Sequence, residues 1–315
     1  MRAMILGAGL GTRLRPLTNE LPKPVVPFFD QPLAAHALTL LAEIGVTDVV
    51  INTHYLGDRV EPALRAFVPS GMRLMIAHEP VLLGTGGGVR AALARLDAEL
   101  GEPDPSEPIL LMNGDVLFFP DLGAAIAAHR DRDALATLVV REHPRAAELG
   151  AIHLSREDGA DRDVTRILGP NAPSTDAMMF TGVHVLSPRA VAMLPAEGCI
   201  IRQGYVPWLK DGARIAGHVE TVPFRDCGTL REYHAAHLDV LQGRLDRPRV
   251  LLDARGWVAP DAAVDGASLE ASVIGAGARV ASGVTLRRVV VWPGAQVSES
   301  IEDAVITPSV ICPVS

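Results

Sequence analysis

Through about residue 240 the chain alternates short apolar runs with stretches of helical spacing. Ala3-Met4-Ile5-Leu6, Val49-Val50-Ile51, Leu74-Met75-Ile76, Ile109-Leu110-Leu111-Met112 and Leu138-Val139-Val140 have strand length and are apolar throughout. Runs of this kind suit strands buried on both faces. Between them, helices are predicted over 33–44, 58–67, 89–100 and 122–129, the first stopped by Gly45. A closing helix is predicted over 229–242. The alternation predicts an α/β fold: a mostly parallel, Rossmann-like sheet with helices on both faces. Ligands of such sheets sit beyond the carboxyl ends of the strands, where Gly7–Gly11 and Gly114-Asp115 fall.

The pattern then changes. Apolar residues recur at Val258, Val264, Leu269, Ile274, Val280, Leu286, Val291 and Val297, five or six residues apart, with Gly, Ala, Asp and Pro between them. That period is neither helical nor a simple alternation; it matches a hexapeptide-repeat parallel β-helix of roughly three coils. The expected organisation is a first domain over 1–243, a linker over 244–255 and a repeat module over 256–315. Coil ends expose strand edges that must be covered. Val305, Ile306, Val310 and Ile311 are candidates to do so within the chain or in a neighbour, making the module an assembly surface for a homo-oligomer.

Composition narrows the function. The 315 residues include 48% hydrophobic and 21% charged side chains, enough for a sizeable core. No apolar run approaches the roughly 18 residues of a membrane span, and MRAMILGAGLGTRLRP reads as a first strand, not a signal peptide. A net charge of −8 argues against nucleic-acid binding. Cys199, Cys227 and Cys312 form no CxxC pair, so disulfides and zinc are not expected and the cytoplasm is the expected compartment. Only two of the 29 basic residues are lysines, Lys23 and Lys210; a lysine kept in so arginine-rich a chain marks a place that needs a compact ammonium.

Three motifs carry candidate chemistry. The first is Gly7-Ala8-Gly9-Leu10-Gly11-Thr12-Arg13, followed by Leu21-Pro22-Lys23-Pro24. A glycine-rich turn after a strand brings backbone N–H groups close to phosphates. It is not the dinucleotide fingerprint, because Thr12 stands where a third glycine belongs and Pro16, Pro22, Pro24 and Pro27 forbid a long helix. Side-chain cations, Arg13 and Lys23, are therefore expected to complete the phosphate site. The second motif is Asn113-Gly114-Asp115, a carboxylate at a strand end that suits either a hard cation or a turn, with Asp226 before Gly228-Thr229 as a possible partner. The third is Gly84-Thr85-Gly86-Gly87-Gly88, read as glycines opening a helix so that a flat ligand can pack on backbone, or as a hinge.

Together, GAGLGTRLRPLTNELPKP, LGTGGG, NGD and DCGT resemble the sugar-1-phosphate nucleotidyltransferase family over essentially the whole chain, and the tail resembles the left-handed β-helix that many members carry. The resemblance implies attack of a sugar 1-phosphate on the α-phosphate of a nucleoside triphosphate, releasing pyrophosphate. It further implies that Arg13 holds the leaving β- and γ-phosphates, that Lys23 touches the α-phosphate, and that Asp115 and Asp226 share Mg²⁺. Gly7, Ala8, Gly9, Gly11, Thr12, Gly84 and Thr85 would line the nucleotide. The nucleophile is already an anion, so no general base is required, in keeping with the lack of histidine in these motifs. For the sugar phosphate, the implied positions are Gly150, Arg166 and Thr181. The family's Glu-Glu-Lys-Pro stretch is replaced by a segment without lysine, and Arg166 is the nearest cation. Glu79 stands where related sequences read the base; an acceptor-only carboxylate suits the adjacent N–H donors of guanine. GTP and mannose 1-phosphate are thus the expected substrates. The alternatives are a uridylyl- or thymidylyltransferase acting on glucose 1-phosphate or N-acetylmuramate 1-phosphate, and a catalytically silent nucleotide-sugar sensor. A second, acyl-transfer activity is not expected, because no histidine follows His237.

Overall fold

The computed structural model describes residues 1–245 and 256–314; most of the expected linker lies outside the described residues. Thirteen strands precede residue 245: β1 (Arg2–Leu6), β2 (Pro27–Phe28), β3 (Gln31–Pro32), β4 (Asp48–Thr53), β5 (Arg73–His78), β6 (Ile109–Asn113), β7 (Val116–Phe118), β8 (Ala136–Arg141), β9 (Ala151–Leu154), β10 (Asp161–Ile167), β11 (Met178–Leu186), β12 (Ile215–Val219) and β13 (Phe224–Asp226). Nine of them form one sheet in the order β5-β4-β1-β6-β11-β8-β12-β10-β9.

The sheet is mixed, which corrects the mostly parallel expectation. β5, β4, β1 and β6 run parallel, as do β8 and β12. β11 lies antiparallel between β6 and β8, and β10 is antiparallel to both β12 and β9. Both faces are covered. Ala3, Ile5, Val49 and Ile51 face one apolar layer with helix Leu33–Glu43, while Met4, Val50 and Leu111 face the other with helix Gly84–Leu100. Alternate residues of one strand enter opposite cores, which is why these strands are apolar at every position.

Helix Gly84–Leu100 starts five residues before the predicted 89–100, so the glycine run forms its first turns. The predicted 58–67 helix is divided into a 3₁₀ turn, helix Val60–Leu64 and a second 3₁₀ turn. In the proline-rich stretch only short turns form, at Thr12–Leu14, Leu17–Glu20 and Lys23–Val25.

Beyond residue 255 the chain forms β14 (Gly256–Val258), β15 (Ser268–Glu270), β16 (Ser272–Ile274), β17 (Arg279–Val280), β18 (Thr285–Val291), β19 (Gln296–Val297), β20 (Ile301–Ile306) and β21 (Ile311–Pro313). β14, β16, β18 and β20 stack in parallel, with β15 on β18 and β17 on β19. Corners fall at Ala271, Arg288 and Asp303, whose φ values are +45°, +52° and +49°. Leu269, Ile274, Val280, Leu286, Val291 and Val297, the positions of the repeat, point inward. The last strand, β21, turns back antiparallel and pairs with β20, so this chain covers that edge itself; Val305 and Ile306 are buried there.

The stack shares a core with the part of the chain before residue 245. Trp257, Val273, Val290 and Trp292 pack with Phe28, Phe29, Tyr233 and Val240 of helix Leu230–Leu241 and the preceding loops. Trp292 Nε1 donates to the Tyr233 hydroxyl at 3.0 Å, and that hydroxyl donates to the carbonyl of Pro27.

Candidate active site

The strongest sequence motifs meet at the carboxyl edge of the sheet. Leu6 ends β1, and the turn after it is built by close approaches. Gly7 N–H donates to Asn52 Oδ1 at 2.8 Å, and a Cβ on Gly7 would lie 2.8 Å from the Asn52 carbonyl. Gly11 has φ +62°, a conformation glycine adopts without strain, and its carbonyl accepts from Thr18 Oγ1 at 2.8 Å. Gly9 has nothing within 4 Å of its Cβ position and opens onto a cleft. That cleft, of about 320 Å³, is lined by Gly7, Gly9, Gly11, Thr12, Arg13, Lys23 and Asp115 among others. Ala8 is buried beneath it.

Lys23 is nearly buried, and its Nζ lies 2.6 Å from Asp115 Oδ2 and 3.4 Å from Asp226 Oδ1. Asp115 follows β6; Asp226 ends β13, which is paired with β7 so that Asp226 lies opposite Val116. Gly114 makes the approach possible, since a Cβ there would meet Ile5 at 2.8 Å. Burial works to lower the Lys23 pKa, but the two carboxylates outweigh it and hold the ammonium above its ordinary value. Burial raises the Asp226 carboxyl, against the pull of Lys23. Arg13 is mostly exposed and reaches toward Asp226, with Nη2 at 3.9 Å. Cys227 is buried and its thiol pKa is pushed up by burial, so it packs as a small apolar group.

Both carboxylates are partly exposed, at 31% and 37% of their side chains, and each has an oxygen beyond the one facing Lys23. Among the described residues no group of three or more metal-type ligands gathers. Two carboxylates completed by phosphate oxygens and water are a donor set that suits Mg²⁺.

The remaining candidates lie elsewhere. Glu79 is buried; its Oε1 accepts from Asn52 Nδ2 at 2.6 Å and its Oε2 from Leu83 N–H at 3.1 Å. Its carboxylate thus braces the glycine turn through Asn52, and it does not line the cleft. On their Cβ sides the glycines of 84–88 meet protein: a Cβ on Gly84 would lie 2.6 Å from the Gly198 carbonyl, and one on Gly87 would lie 2.5 Å from that of Ala196. Thr85 Oγ1 accepts from Ile200 N–H at 3.0 Å. Gly84 and Thr85 nevertheless remain exposed, while Gly86, Gly87 and Gly88 are buried. Thr181 is buried, and its hydroxyl donates to the Val139 carbonyl at 2.7 Å, inside a bulge of β11. It serves the sheet and presents no donor to a sugar. Gly150 leads into β9 with φ +119°. Arg166 is exposed on β10, its Nη2 3.3 Å from His153 Nε2. Asn52 was not anticipated; its only sequence signal is a polar residue closing the buried run Val49-Val50-Ile51.

A glycine turn at the end of a central strand, with an ammonium and two carboxylates beside it, forms a candidate phosphate site in an α/β fold. Residues 2–243 match the nucleotidyl transferase family model, and the chain belongs to that family. A mannose-1-phosphate guanylyltransferase of Mycobacterium tuberculosis is 28% identical over 94% of this chain and 80% of its own length. A probable mannose-1-phosphate guanylyltransferase of rice is 28% identical over 99% of this chain and 86% of its own. An N-acetylmuramate α-1-phosphate uridylyltransferase of Caulobacter vibrioides is 36% identical over 60% of this chain and 76% of its own. No helix among the described residues is long and apolar enough to cross a membrane.

Proposed function

We propose that the protein transfers a nucleoside monophosphate from a nucleoside triphosphate to a sugar 1-phosphate, with GTP and mannose 1-phosphate as substrates. The observation that carries the reading is the convergence of Lys23 Nζ on Asp115 and Asp226 beside the Gly7–Arg13 turn. The reaction joins two anions, so neutralising charge is its main demand. The backbone of Gly7–Thr12 cradles the triphosphate, Arg13 draws the β- and γ-phosphates, and Lys23 sits against the α-phosphate. Asp115 and Asp226 hold Mg²⁺, which supplies further neutralisation at the reacting phosphates. An oxygen of the sugar phosphate attacks the α-phosphorus, the bond to the bridging oxygen breaks, and pyrophosphate leaves with that electron pair. No residue has to take a proton.

The choice of GTP and mannose 1-phosphate rests on the two relatives that match along most of the chain. It no longer rests on Glu79, whose carboxylate is bound within the protein. The shorter but more similar uridylyltransferase match supports UTP with N-acetylmuramate 1-phosphate as the second reading. The C-terminal stack is read as a left-handed β-helix and assembly module, and the free thiols fit a cytoplasmic setting. The test is a matrix of GTP, UTP, dTTP, CTP and ATP against mannose, glucose and N-acetylmuramate 1-phosphates with Mg²⁺, read by pyrophosphate release. Highest turnover with GTP and mannose 1-phosphate is expected. Preference for UTP selects the second reading, and no turnover with any pair overturns the reaction.

A further inference from the structure

On the basis of the nucleotidyl transfer read above, we propose that Glu79 and Asn52 are positioning residues for it: together they fix the peptide between Leu6 and Gly7, and through it they set the phosphate-facing turn against Asp115. That peptide is held on both sides. Its carbonyl, on Leu6, accepts from Gly114 N–H at 3.0 Å, and Gly114 is the residue before Asp115. Its N–H, on Gly7, donates to Asn52 Oδ1 at 2.8 Å. A peptide unit is planar, so bonds to both of its polar ends fix its orientation, and with it the direction in which the turn leaves β1. Gly7, Gly9 and Gly11 of that turn line the cleft together with Lys23 and Asp115.

The balance of donors and acceptors explains the carboxylate at residue 79. The relay runs from Gly7 N–H to Asn52, then from Asn52 Nδ2 to Glu79 Oε1 at 2.6 Å, and it ends at Leu83 N–H, which donates to Glu79 Oε2 at 3.1 Å. Both ends of the relay are therefore donors. An amide side chain offers one donor group and one acceptor, so two amides in the middle would leave two donors facing each other at some link. One acceptor-only group is required, and Glu79 is that group. With a carboxylate facing its Nδ2, Asn52 must turn Oδ1 toward Gly7; the opposite orientation would set Nδ2 against the Gly7 N–H. Asn52 and Glu79 are only 3% and 5% exposed, so water does not make good a lost bond. Gly88, near the start of the following helix, lets that helix close over the pair: a Cβ there would lie 2.5 Å from Glu79 Oε1 and 2.9 Å from Asn52 Nδ2. The glycine run thus supports the phosphate turn from behind. Glu79 itself does not line the cleft, and its effect on the reaction passes through Asn52 and the Leu6–Gly7 peptide.

Glu79→Gln, Asn52→Asp and the double variant carrying both test the relay. Glu79→Gln sets one donor against another, and Asn52→Asp sets carboxylate against carboxylate. Either change is expected to raise KM for the nucleotide about tenfold or more, the effect of one buried group left without its partner. KM for the sugar 1-phosphate should stay within about twofold, whereas partial unfolding would lower kcat and leave both KM values in place. The double variant remakes every bond with the middle link reversed: the new carboxylate at 52 accepts from Gly7 N–H and from the new amide at 79, whose oxygen accepts from Leu83 N–H. Its nucleotide KM should return to within about threefold of wild type, the non-additivity expected of groups in one network. An unchanged nucleotide KM in both single variants, or a double variant as impaired as the worse single one, overturns the assignment. Where a single variant does not fold, the double variant decides by the same limit. If wild type turns over no sugar 1-phosphate with any nucleotide, the proposed reaction fails on its own account. Hydrogen exchange at the Gly7 amide then still tests the relay: faster exchange in Glu79→Gln, slowed again in the double variant, supports it, and equal exchange in both variants and wild type overturns it.

Discussion

Lys23 explains its own survival in a chain that otherwise uses arginine. Its ammonium reaches two carboxylates from a nearly buried stem, at 2.6 and 3.4 Å. A planar guanidinium fork does not reproduce the compact point charge that these contacts use. The same geometry separates catalysis from stability. In Asp115→Asn the ammonium keeps Asp226, so the melting temperature should change little, while kcat should fall by roughly 10²–10³-fold as a main electrostatic stabiliser is lost. Pyrophosphate release in saturating Mg²⁺ checks this, and near-normal turnover would remove Asp115 from the metal site. Two buried histidines make the opposite case, stability without chemistry. Burial, with Arg189 and Arg130 nearby, lowers the His129 pKa from 6.5 to about 4, and burial lowers that of His184 from 6.5 to about 3. Below pH 6.5 the unfolded chain binds protons that the folded chain refuses, so folding stability falls as pH drops through this range. Each histidine should remove on the order of 2 kcal/mol by pH 5, relative to pH 8. Urea midpoints at the two pH values measure the loss, and His129→Gln should reduce it. At this scale the motif residues were legible because their chemistry is written in their types. Asn52 was not, because what distinguishes it is what it meets on neighbouring segments, the Gly7 N–H and the Glu79 carboxylate.

The helix that begins at Gly84 shows how element boundaries escape the sequence. Glycine disfavours helix by about 1 kcal/mol relative to alanine, so a run of glycines reads as a loop before Val89. Packing overrides that preference here. Segment 195–200 lies directly on the first turns, with Gly86 N–H donating to the Gly198 carbonyl at 2.7 Å, and side chains would keep the two backbones apart. Gly87→Ala, whose Cβ would meet the Ala196 carbonyl at 2.5 Å, should destabilise the fold by about 1–3 kcal/mol. Gly9→Ala is its counterpart. Its Cβ meets nothing within 4 Å and projects toward the cleft, so it should leave the denaturation midpoint unchanged and raise KM for the nucleotide. Equal destabilisation by both substitutions would contradict this division between packing glycines and cleft glycines. Strand direction escaped for a related reason. The run Val183-His184-Val185-Leu186 is as apolar as a parallel strand, and only its pairing with β6 and β8 sets it antiparallel in the middle of the sheet.

For the whole molecule, the repeat period was legible from about Val258 onward, since each coil must bury one apolar residue per side. Its attachment was not, because a period describes the inside of the stack and says nothing of the outer face. That outer face carries Trp257 and Trp292, buried against Phe29 and Tyr233, with the Phe29 and Trp257 rings 5.6 Å apart. Further ties run from His234 Nε2 to the Arg288 carbonyl at 2.6 Å, and from Thr307 to Glu20, which closes the turn after the glycine loop. A shared core of this kind should make both parts unfold together. Trp292→Ala removes a buried indole and the bond that Tyr233 accepts from it, a loss of about 3–5 kcal/mol. Denaturation followed by far-ultraviolet circular dichroism and by tryptophan fluorescence distinguishes the possibilities. Trp257 and Trp292 report the junction, whereas Trp208 reports the distant layer beneath the sheet. Coincident transitions, both shifted to lower urea by the substitution, are expected if the stack and the nucleotide-binding part are one cooperative unit. A junction transition that moves alone, leaving the circular dichroism midpoint in place, would make the stack an independent module whose loss the catalytic part tolerates.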